Sequence, residues 1–169
     1  YGGGCIALDG DNRRGIVDAL IGTAVQFAEI RNPDTGEPLA YVRMFMVTQP
    51  PDNRKAMLVD VIHMRGFNSY NATAEIQEER RQVVDLVREF TTAYSQAVAG
   101  EEVPVLVGKT YNYLLTGDEP VNEETVQVIG KTYDQRYYIN CYQSGWANIQ
   151  NPRKVRLAVL HRPPSQDEG

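Results

Sequence analysis

The sequence has little of what catalytic and metal-binding machinery is usually built from. Only two histidines, His63 and His161, and two cysteines, Cys5 and Cys141, occur in 169 residues. A zinc site takes three or four such ligands at characteristic spacings, and these four are too scattered to provide them. A Ser-His-Asp or Cys-His arrangement would need partners carried to His63 from distant segments, and no motif points to any. Gly2–Gly4 precede no Lys-Ser/Thr pair, and Gly108-Lys109-Thr110 lacks the upstream glycine of a phosphate loop. Asp9-Gly10-Asp11-Asn12 begins like a calcium loop but lacks the later oxygen ligands and the closing glutamate. No catalytic residue, metal set or cofactor is expected.

Two further absences narrow the class. No apolar run approaches the roughly 20 residues that cross a bilayer, so no transmembrane segment is expected. Positive charge is never concentrated: Arg13–Arg14, Arg80–Arg81 and Arg153–Lys154 are isolated pairs in a chain of net charge −5. A nucleic-acid surface needs a basic face, so that partner is not expected either. The paucity of cysteine leaves two readings open, one disulfide in an exported protein or two unrelated thiols in a cytosolic one. Cys5 follows three glycines, the small-residue context of a lipoprotein cleavage site, but the apolar stretch that should precede it is not in the sequence. A lipid anchor there is therefore not the favoured reading.

What is present describes one ordinary globular unit. Apolar residues make up 42% and charged residues 23%, and a chain of this length buries about 70% of its unfolded surface. Residues 1–162 read as a single α+β domain, followed by a polar tail, 163–169. The clearest element is a helix over about 73–99. Ile76, Val83, Val87, Phe90, Tyr94 and Ala97 fall on one stripe, which Val84, Leu86 and Ala93 widen. Thr73 or Asn71 can cap its start, and Gly100 can end it. At 1.5 Å per residue it is about 40 Å long, more than so small a domain needs. Part of it is expected to project or to serve a partner.

Around that helix the pattern is of strands. Residues 11–25 fit a helical turn or a strand, followed by a strand ending near Arg31. Asn32–Pro38 is a turn, Leu39–Val47 and Ala56–Met64 are strands, and Val103–Leu115 alternates as a half-buried strand should. Glu124–Tyr142 holds one strand or two, Gln143–Trp146 and Asn148–Pro152 are loop, and Val155–Leu160 is the last strand. The order suggests an antiparallel sheet of about five to seven strands with the helix on one face. His63 reads as a partly buried strand residue and His161 as a surface one. The carboxylate pairs (Asp9/Asp11, Glu78/Glu79, Glu101/Glu102, Asp118/Glu119, Glu123/Glu124) read as exposed, not as an acid–base couple.

One composition is unusual. There are ten tyrosines against four phenylalanines and one tryptophan. Tyr133, Tyr137, Tyr138 and Tyr142 gather with Trp146, and such side chains favour interfaces as well as cross-strand pairs. These five are the candidate interface residues.

Downstream of Cys5, Asn32-Pro-Asp-Thr-Gly-Glu-Pro-Leu-Ala-Tyr-Val-Arg43 resembles the hairpin of the outer-membrane lipoprotein of type VI secretion systems. The resemblance implies a periplasmic β-sandwich that docks an inner-membrane partner. The long helix departs from that sandwich, so no membership follows. The leading expectation is a non-enzymatic structural or interaction subunit, self-associating or bound to another protein, with an extracytoplasmic setting slightly favoured. The alternatives are a small-molecule binding module or cofactor-free enzyme, with a pocket between helix and sheet worked by His63, Asp60 or a helix carboxylate, and a secreted effector or its acidic inhibitor.

Overall fold

A computed structural model describes residues 25–64, 73–108, 121–130, 138–141 and 145–164. In chain order these form β1 (Val25–Arg31), β2 (Pro38–Gln49), β3 (Arg54–Met64), α1 (Ala74–Ala99), β4 (Val105–Gly108), β5 (Val121–Val128), β6 (Tyr138–Cys141), β7 (Gly145–Asn148) and β8 (Arg153–His161).

The turns carry their own reasons. Between β1 and β2, the Asn32 side-chain oxygen accepts from the backbone of Asp34 and Thr35, while Gly36 takes the left-handed conformation (φ 69°) that closes the loop. Between β2 and β3, Pro50 and Pro51 remove two backbone donors and end the ladder. The helix starts where Thr73 accepts from the Ile76 amide, 3.3 Å away. It stops where Gly100 turns left-handed (φ 76°) and donates to the Gln96 carbonyl.

The main sheet runs β1-β2-β3-β4-β8-β5, and β5 returns to pair with β2 through Val47↔Val128 and Thr48↔Gln127. Five strands thus close into a barrel, and β1 lies outside it, paired with β2 from Pro38 to Phe45 on the edge that β5 takes further along. The expected antiparallel sheet is corrected to a mixed one, because β3 and β4 pair in parallel. The cause is the connection. A hairpin reverses the chain, whereas the passage through α1 brings it back to start β4 in the same direction as β3.

Closure gives the strands two buried faces. Phe45, Leu58, Leu106, Val126 and Leu157 fill the interior, which Ile149 joins from the segment after β7. Val42, Met44, Met57, Val59 and Val107 point outward beneath Val83, Val84 and Val87 of α1. This corrects the half-buried reading of the expected strand Val103–Leu115 over its described part: all four β4 residues are buried, with Leu106 facing inward, while residues 109–115 lie outside the described residues. The loop expected at Gln143–Trp146 is corrected too: Gly145 and Trp146 belong to β7, which pairs with β6 as a separate two-stranded sheet.

Candidate interaction surface

Several polar side chains that looked available in the sequence are engaged within the fold. Asp60 is 1% exposed and forms an ion pair with the Arg43 guanidinium, which also lies over the Phe45 ring at 5.3 Å. The pair is set by a bulge. Arg43 on β2 faces two β3 residues between the pairs Val42↔Ile62 and Met44↔Val59. His161 is corrected from surface to half-buried, its Nε2 2.7 Å from the Glu102 carboxylate. Glu29 accepts from the Tyr41 hydroxyl and pairs with Arg31, which together hold its carboxyl below the ordinary glutamate value. Glu123 is lowered likewise, first by Lys154, whose Nζ lies 2.7 Å away. No group of three His, Cys, Asp or Glu that could hold a metal ion occurs among the described residues.

The expected tyrosine cluster is only partly placed. Tyr133, Tyr137 and Tyr142 lie outside the described residues, as do Cys5 and the Asp9–Asn12 loop. Backbone register sets Tyr138 opposite Asn148 and Asn140 opposite Trp146. The β6–β7 hairpin that carries them lies against β3, β4 and β8. The backbone of His63 pairs with that of Tyr41.

The surface with a different character is one flank of α1. Arg88 fixes the opposite flank, since its Nε donates to the Leu160 carbonyl of β8 at 3.0 Å. Leu86 and Phe90 are each two residues from Arg88, about 200° round the helix at 3.6 residues per turn. They therefore face the other way, towards β1, which lies across the sheet from β8. Leu86, Phe90, Ala93 and Ala97 are spaced four, three and four apart and make one stripe. Leu86 is 42% exposed, Ala93 and Ala97 are exposed, and Phe90 is half-buried, stacked on Tyr94 with ring centres 5.7 Å apart. Ala28 and Ile30 of β1 and Leu39 of β2 are half-buried against the outer core, which Phe90 and Tyr94 also touch; the register Ala28↔Val42↔Ile62 and Ile30↔Ala40↔Met64 sets them level with the first turns of α1.

The charge along this flank is of one sign. Glu75, Glu79 and Glu89 border the stripe, while the exposed Arg81 and the half-buried Arg88 lie on the far side, paired with Glu78 and Asp85. The sequence carried part of this signal, because Leu86 and Ala93 stood out as widening the apolar stripe. It did not reveal that Val84 is buried while those two are left outside.

No helix among the described residues is long and apolar enough to cross a membrane. Comparison with protein-family models, with curated proteins and with solved structures returns no match.

Proposed function

We propose that this chain is a non-enzymatic structural or interaction subunit of a larger assembly, docking through the β1-facing flank of α1. The observation that carries the reading is the stripe Leu86–Phe90–Ala93–Ala97. Single exposed apolar residues are ordinary on any surface, but a contiguous stripe beside further half-buried apolar residues marks an interaction site. Helix-in-groove recognition uses anchors at this spacing. The helix is well held by its other face, so the stripe is presented on a rigid support. The tyrosine-rich segment from Tyr133 to Trp146 is a second docking region on this reading, tested by Tyr138→Ala and Trp146→Ala.

The test is native mass spectrometry of the chain taken from its source, compared with Leu86→Lys/Ala93→Lys. The reading expects a complex for the natural chain and a free chain for the variant, with unchanged circular dichroism. A natural chain that runs alone, or a variant that stays in the complex, would contradict it.

A further inference from the structure

The stripe lies where α1 changes character. Eight charged residues stand between Glu75 and Glu89 and none from Phe90 to Gly100, so the last turns of the helix present no charged side chain. A solvated helical face ordinarily carries charge, and depletion of charge marks the centre of an interface. Within those turns Ala93 and Ala97 are exposed and Val98 is 51% exposed. We infer, resting on the docking reading above, that the occupant of this flank is a second copy of the same chain, its α1 packed antiparallel on this one.

The order of sizes along the stripe selects that occupant. Leu86, Phe90, Ala93 and Ala97 are spaced four, three and four apart, a series that reads the same in both directions, while the sizes run from large to small. Turned end for end about a two-fold axis between Phe90 and Ala93, a second copy sets its Ala97 opposite Leu86 and its Ala93 opposite Phe90. Each large side chain then meets a small one, and symmetry repeats both contacts. Alanine at the two small positions lets the helix axes approach to the close end of the usual 8–10 Å range.

The polar border fits the same arrangement. Glu89 and Gln96 lie on the solvent side of the stripe, and both are exposed. In the antiparallel pair Glu89 comes within about 3 Å, along the axis, of the level of Gln96 of the second copy. Its carboxylate can accept from that amide. The copy's own Glu89 stands about 7.5 Å further along the axis, so like charges do not face each other. Past the helix end, Glu101 and Glu102 are engaged by Lys55 and His161 of their own chain. A contact of about 18 Å of helix is short for a permanent interface, so a dimer that dissociates in the micromolar range is expected.

Sedimentation equilibrium of the full chain, from about 1 to 300 µM, reads the association. Ala97→Leu sets leucine against Leu86 of the copy, and Leu86→Ala empties the same contact. Each is expected to weaken the dimer at least about tenfold. Leu86→Ala/Ala97→Leu exchanges large for small and restores the match, and should return Kd to within about threefold of the natural value. The changes lie on the exposed flank, so circular dichroism and thermal midpoint should stay those of the natural chain. The exchange is the decisive arm, because a different partner protein gains nothing from it.

An exchange no better than the single changes, or a dimer indifferent to all three, would overturn the second copy. So would a chain that stays monomeric throughout the range. If that monomer still joined another protein of its source, and Leu86→Lys/Ala93→Lys abolished the complex, the docking reading would stand and this inference alone would fall. A monomer that no source protein joins would overturn both.

Discussion

The two flanks of α1 invert the usual order: the one with the more polar residues is buried and the more apolar one is left outside. Towards β8, Val84, Thr91 and Ser95 are buried, the Thr91 hydroxyl returns to the Val87 carbonyl at 2.6 Å, and Arg88 ties the helix to Leu160. Towards β1, Leu86, Ala93 and Ala97 remain in solvent. A helix on a closed barrel touches its support along one line, so a stripe wider than that line is left over. The buried part of this helix, on this account, holds the fold, and the remainder is available to a partner.

The largest effects belong to the side that carries the fold. Asp60→Ala removes the carboxylate that pairs with the buried Arg43 guanidinium and should cost about 3–5 kcal/mol. Urea unfolding would measure it, and a cost below about 1 kcal/mol would mean that the pair is not desolvated as described. Val87→Ala, under the helix at 0% exposure, should cost roughly 2 kcal/mol through lost burial and the cavity left behind. Thr73→Ala removes the N-cap acceptor and should cost about 1 kcal/mol, read as a lower thermal midpoint.

Across the helix the expectation inverts. Leu86→Ala should change stability by no more than about 0.5 kcal/mol, yet weaken association measured by native mass spectrometry. A stability loss like that of Val87→Ala would erase the distinction between the flanks.

The smallest effect concerns pH. Glu29 and Glu123 have carboxyls held below their ordinary value, by Tyr41 with Arg31 and by Lys154 with Arg156. A carboxylate depressed in the folded state adds stability at pH above its unfolded value of about 4.3, and that stability is lost as pH falls through the folded pKa. Glu123 is exposed and Glu29 half-buried at the surface, so solvent screens both and the change should be slight. Tyr41→Phe should reduce the fall in thermal midpoint between about pH 6 and pH 3, and an unaltered profile would remove Glu29 from the explanation.

Much of this architecture was legible from residue patterns. The helix boundaries followed from Thr73, the apolar spacing and Gly100, all local signals. The strands ending at Arg31 and starting near Leu39, Ala56 and Val155 followed from turn residues and β-branched runs. Parallel pairing of β3 with β4 and closure through Val47↔Val128 were not legible, because both depend on contacts between residues far apart in sequence. The same limit hid the ion pair of Arg43 and Asp60, 17 positions apart on neighbouring strands. It also hid which residues of the helix stripe would stay outside: periodicity gives the direction of an apolar face, but its buried width depends on the curvature of what lies beneath.

The most direct test of the account is native mass spectrometry of the natural chain beside Leu86→Lys/Ala93→Lys. The account predicts a complex for the natural chain and a free chain of unchanged circular dichroism for the variant. A natural chain that runs alone, or a variant that stays in the complex, would contradict it.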